Sequence, residues 1–220
     1  MPTQLPLAQY SRKATMDARD ALAMALRRLV EEIRFAGDCQ ADRFAQVFDE
    51  WPSFNESMVL PAAAVMPGEF RYEPWSLSPH LIEETWEPTG KPGWGLYQTA
   101  EVAADFQLQI RTDRIGERPI LMRAIEDAFQ APNMLMDNTA ARYGLLLDLP
   151  DYYGLKGRFA ILSGSVIDNE DAAMREKRDA IFTISARVPK VQVGPVWPMA
   201  LQVRKTILAG ADTIISVIIG

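Results

Sequence analysis

The stretch Ala104-Asp105-Phe106-Gln107-Leu108-Gln109-Ile110-Arg111-Thr112-Asp113-Arg114-Ile115-Gly116-Glu117-Arg118-Pro119-Ile120-Leu121-Met122-Arg123-Ala124-Ile125-Glu126-Asp127-Ala128-Phe129 changes its period halfway along. Phe106, Leu108 and Ile110 alternate with Gln107, Gln109 and Arg111. A period of two marks a strand with one buried face and one wet face. A turn follows over residues 112–116. Pro119 suits a first helical position, because its missing N–H would be unpaired there in any case. Leu121, Ala124, Ile125, Ala128 and Phe129 then fall at i, i+3, i+4, i+7 and i+8, one apolar helical stripe. Arg118, Arg123, Glu126 and Asp127 take the other face. A half-buried strand therefore hands over to a helix that packs on it.

Upstream, residues 16–35 read as a first helix. Its stripe is Leu22, Leu26, Leu29, Val30 and Ile33, with Thr15 as N-cap and Gly37 at its end. Residues 1–14 read as an irregular, extended arm. Residues 43–48 suit a short strand. Prolines then crowd the chain at Trp51-Pro52, Leu60-Pro61, Met66-Pro67, Pro74-Trp75, Ser78-Pro79 and Glu87-Pro88. Proline removes a ladder donor, so this region is expected to hold short extended pieces and no clean central strand. Residues 58–60 and 81–86 are the candidates. The glycines of Gly90-Lys91-Pro92-Gly93-Trp94-Gly95 mark a tight loop.

Downstream, residues 143–149 form a strand ending at Pro150. Residues 159–188 read as a long β-hairpin. Phe182, Ile184, Ala186 and Val188 alternate with polar residues on its second arm, which Pro189 ends. Residues 191–196, 201–208 and 213–219 add further strands. The expected fold is α+β: a mixed, mainly antiparallel sheet, an N-terminal helix, a second helix packed on the sheet, and a projecting hairpin. One domain is expected over 1–220.

The composition excludes several functions. The 220 residues carry 23 basic and 29 acidic side chains, a net charge of −6, whereas nucleic-acid binders show a basic excess. Cys39 is the single cysteine and His80 the single histidine, so neither a disulfide within the chain nor a multi-histidine metal site is expected. Ser163-Gly164-Ser165 is not a nucleophile elbow. Gly90, Gly93 and Gly95 lack dinucleotide or phosphate-loop spacing. The acidic run at Asp168 lacks the glycine and distal glutamate of a calcium loop. No N-terminal signal peptide is expected, and no segment approaches the roughly 20 apolar residues of a membrane span. Catalysis and cofactors are not expected.

Two features point instead to assembly. Ile214-Ile215-Ser216-Val217-Ile218-Ile219 is uncharged, β-prone and apolar on both faces, so left exposed it would aggregate. The hairpin tip carries Asp168, Glu170 and Asp171 against Arg175, Lys177 and Arg178. Ordering such an arm costs about 1–2 kcal/mol per residue in backbone entropy, a cost that docking on another chain would offset. The candidate interface residues are these six together with Ile215, Val217 and Ile219.

The order of elements resembles a known group. A charged N-terminal helix leads to the Trp51-Pro52 corner, then to Leu60-Pro61-Ala62-Ala63-Ala64-Val65 and a proline- and glycine-broken region. The Phe106–Arg111 strand and its helix follow, then the charged hairpin and a last strand region. This resembles small neck and tail-completion proteins of tailed bacteriophages, the tail-terminator group in particular. The resemblance implies an α+β subunit of a homohexameric ring that caps the tail tube and joins it to the head. It implies other neck, tail-tube or sheath proteins as partners, a place in the virion after assembly in the host cytoplasm, and no catalytic residue. The alternatives are a baseplate or head-completion component, and a small ligand-binding protein or enzyme.

Overall fold

A computed structural model describes residues 14–37, 39, 41–52, 58–74, 79–84, 94–114, 116–130, 144–168 and 178–195. They form two helices and seven strands in the order α1 (Ala18–Glu32), β1 (Gln46–Phe48), β2 (Ala62–Pro74), β3 (His80–Glu84), β4 (Trp94–Thr112), α2 (Glu117–Gln130), β5 (Leu145–Leu149), β6 (Leu155–Asp168) and β7 (Arg178–Pro195). The sheet runs β1-β2-β4-β7-β6-β5, with β3 paired to β4. Only β1 and β2 are shown parallel, Gln46 to Phe48 against Ala62 to Ala64; the pairs β3–β4, β5–β6 and β6–β7 are antiparallel. The fold is α+β with a mixed, mostly antiparallel sheet.

Two compact units share these strands. The larger takes Arg12–Glu73 and Glu101–Pro189. The smaller includes Pro74–Ala100 and, from Lys190, the end of β7. In the smaller unit β3 pairs with the start of β4, His80 opposite Gln98 and Glu84 opposite Gly95. The Thr99 hydroxyl donates to the Lys190 carbonyl at 3.3 Å.

The larger unit's core follows the alternation of its two long strands. On β4 the even residues from Val102 to Thr112 are buried. On β7 Ala180, Phe182, Ile184, Ala186 and Val188 are buried. A fully buried Phe side chain contributes about 1.5–3 kcal/mol, and Phe106, Phe159 and Phe182 are all in this class. α1 turns Leu22, Leu26 and Val30 inward and packs on β1 and β5, the two ends of the strand order. The sheet therefore curls around α1. Leu22 presses on Gly157 of β6, where an added Cβ would lie 2.7 Å from it. α2 packs on β6 through Leu121, Ile125 and Phe129, all buried.

Three local expectations are corrected. The N-cap of α1 is Asp17, whose carboxylate accepts the Asp20 N–H at 2.9 Å. Thr15 is drawn away: its N–H and that of Met16 donate to the Asp151 carbonyl. Met66-Pro67 lies inside the 13-residue strand β2, where no strand of that length was expected. β1 pairs only with Ala62 to Ala64, so among the described residues no strand pairs with that edge of β2 at Pro67, the kind of edge position where proline is tolerated. Pro189 lies inside β7 and does not end it. The β6 ladder stops at Arg187, two residues before the proline. The 201–208 and 213–219 strands, the arm at residues 1–13 and the 90–93 loop lie outside the described residues.

Candidate functional site

The hairpin predicted from the alternation is built from β6 and β7. Its ladder runs from Arg158 opposite Arg187 to Asp168 opposite Arg178. β6 has two different halves. Leu155 to Phe159 pair with β5 on the other side, Leu149 to Leu145. Just before β5 stands Gly144, at φ +79°. A Cβ there would lie 2.3 Å from the Phe159 carbonyl oxygen, so only glycine allows this close approach. From Ala160 onward β6 has β7 on one edge and, among the described residues, no strand on the other.

A bulge marks the same place. Ile161 is opposite Ile184 and Ser163 opposite Thr183, which leaves Leu162 as the extra residue. Leu162 is 62% exposed. Past the bulge, Gly164 lies under the Phe182 ring, 3.0 Å from where its Cβ would be. That cover keeps Phe182 buried, and Ala180 is buried beside it. All of residues 162–167 on β6 are exposed, with Val166 at 45% and Ile167 at 36%. The limb thus has a buried strand, β7, and an open apolar edge, β6.

β7 is anchored at the foot of the tip. The Arg111 guanidinium donates to both Asp179 carboxylate oxygens at 2.9 and 2.7 Å. Both side chains are largely buried, at 15% and 11% exposure. The same guanidinium lies 4.5 Å over the Trp51 ring, whose indole N–H donates to Gln109. This charge-assisted fork ties β7 to β4.

A second charged group crosses β2, β4 and β7. Arg187 meets Glu73 at 3.1 Å and Glu101 at 3.3 Å. Arg71 meets Glu73 at 3.1 Å and Asp105 at 3.6 Å. The hydrogen bond from Arg71 holds the Glu73 carboxyl below its usual range, with the Arg187 charge acting the same way. The Arg71 guanidinium is raised in turn, chiefly by that hydrogen bond. Every charge here has a partner, so the cluster reads as a cross-strand tie. A groove of about 600 Å³ lies between the end of α1 and α2, with Leu29, Ile33, Ile120 and Ala124 below and Glu32, Arg34, Arg123 and Asp127 at its rim.

Of the interface residues expected from the sequence, Asp168 and Arg178 come together as the last ladder pair. Glu170, Asp171, Arg175, Lys177, Ile215, Val217 and Ile219 lie outside the described residues. The sequence reading passed over Leu162, Val166 and Ile167. Their signal was an uncharged, proline-free run from Phe159 to Ile167, which matters only once that strand is known to have an open edge. Among the described residues no group of three or more histidine, cysteine, aspartate or glutamate side chains is placed to hold a metal ion. Among them no helix is long and apolar enough to cross a membrane. The chain matches no protein-family model and no curated protein.

Proposed function

We propose that this chain is a structural subunit that assembles with copies of itself into a ring, and that the ring belongs to a tailed-phage neck or tail, ending the tail tube and joining it to the head. The observation that carries the assembly reading is the β6 edge, which no strand covers among the described residues, with Leu162, Val166 and Ile167 exposed. Soluble proteins blunt such edges with lysine, proline or a covering element; residues 159–167 contain neither residue type. A second copy covering the edge removes the hazard, and cyclic symmetry repeats that contact without leaving open ends. The place in a virion rests on the element order and on the α+β fold, which agrees with what the resemblance implies. On this reading the ring is a hexamer, its other partners are neck, tail-tube or sheath proteins, and the chain has no catalytic role, cofactor, nucleic-acid target or membrane partner.

Light scattering and negative-stain imaging of the purified chain test this. The expected result is a closed particle with six-fold symmetry. A single-chain mass of 24.6 kDa at every concentration, with no ring on assembled tails, would overturn it.

A further inference from the structure

Among the described residues no strand pairs with the free edge of β6 beyond Phe159, and the chain carries a segment suited to such an edge. We propose that residues 213–219 of one copy add as a strand to residues 160–168 of β6 in a neighbouring copy. The proposal rests on the self-assembly reading above and names the contact that makes the ring.

Length agrees. Nine edge residues span about 30 Å and seven donor residues about 24 Å, at 3.4 Å per residue. Charge agrees as well. Within the edge, residues 160–167 contain no charged residue and no proline and only the terminal Asp168 carries a charge, and residues 213–219 contain neither, so both largely lack the features that normally block edge pairing. The faces match too. In the β6 register Gly164 and Val166 lie opposite the buried Phe182 and Ala180, while Ile167 falls on the other face opposite Asp179. Each face of the edge thus offers one apolar side chain, Val166 beside Gly164 on one and Ile167 beside Ser163 and Ser165 on the other, and Leu162 at the bulge adds a third. Residues 213–219 present Ile215, Val217 and Ile219 on one face and Ile214 and Ile218 on the other. An amphipathic strand would leave one face mismatched.

The tether is long. β7 ends at Pro195, and seventeen residues, 196–212, separate it from the donor run. Extended, they reach about 56–61 Å, at 3.3–3.6 Å per residue. Main-chain hydrogen bonds supply the affinity of such strand addition, and the alternate side chains set its register. Donor and acceptor are different patches, so each copy gives one and takes one. That head-to-tail contact is the kind that closes a ring.

The test uses two full-length variants. The edge variant carries Val166→Lys and Ile167→Lys; both positions are exposed, so the lysines stand in water in the free chain. The strand variant carries Ile215→Lys and Val217→Lys. Circular dichroism checks that each retains the parent fold. The parent is expected to assemble, and each variant alone to stay at the mass of one chain. Mixed, they should give a two-chain complex and nothing larger, because the mixture holds one intact edge and one intact strand. A variant that assembles as the parent does overturns the proposal and leaves self-assembly standing. Single-chain variants that form no complex when mixed overturn it in favour of pairing within one chain. A parent that never leaves the single-chain mass overturns the assembly reading itself. As a second measurement, Ser165→Cys and Val217→Cys in a Cys39→Ser background should give disulfide-linked multiples on a denaturing gel. A disulfide confined to one chain would overturn the second copy as occupant.

Discussion

Arg111 sits on the wet face of β4, where the sequence alternation places it, yet it does more than solvate that face. It grips Asp179 through two hydrogen bonds and stacks on Trp51. Removing one member of a largely buried pair leaves the other charge without compensation. Arg111→Ala should therefore lower stability by about 1.5–3 kcal/mol, the range for hydrogen bonds to charged groups. Arg111→Lys should recover part of this, since lysine keeps the charge and loses the fork. Urea midpoints of the two variants and the parent check it. Glu73 gives a pH effect. Its carboxyl is held below the usual range by Arg71 and then by Arg187. A lowered carboxylate contributes stability that is present above its unfolded value and lost as pH falls through the folded one. Glu73→Gln should thus be less stable than the parent at neutral pH, and the gap should close on acidification. Thermal midpoints measured at neutral and acid pH read this. A gap that stays constant would exclude the ion-pair account.

Among the elements, α1 shows how a tertiary contact moves a boundary. Thr15 and Asp17 both have oxygens able to cap a helix. Asp151 engages the backbone N–H groups of Thr15 and Met16, so the start falls two residues later, at Asp17. Asp17→Ala should cost about 1 kcal/mol and Thr15→Val much less in helix capping. Denaturant midpoints of the pair decide which residue is the cap. β2 makes a similar point. A proline inside a strand is disfavoured where a partner strand needs the N–H it lacks, and β1 is too short to reach Pro67.

At the scale of the whole molecule, fold and assembly are separable. The Asp179 anchor and the Asp168–Arg178 ladder pair lie just outside residues 169–177. Replacing 171–177 with a short Gly-Ser linker should leave circular dichroism unchanged, because both helices and all seven strands of the described residues lie elsewhere in the chain. Ring or particle formation should fall, since charges at an interface rim set orientation and association rate. Normal particles from this variant would remove the tip from the interface and leave the β6 edge as the contact.

The residues alone determined those elements whose reasons are local. The alternation at Phe106, Leu108 and Ile110, the stripe at Leu121, Ile125 and Phe129, and the alternation from Phe182 to Val188 all appear as buried faces, because side-chain direction along a strand or helix follows from backbone geometry. The pairing of β6 with β7 was legible too, as an uncharged run from Phe159 and an alternating run from Phe182 joined by a charged segment. Tertiary structure alone decided which edges have neighbours. Nothing in Phe159 to Ile167 says that β5 stops at Leu145, opposite Phe159. Nothing in Met66-Pro67 says that β1 ends three residues earlier on that side. Hydrogen bonding across a sheet is non-local, so the same uncharged apolar run is a core strand when both edges are paired and an edge strand when one is not.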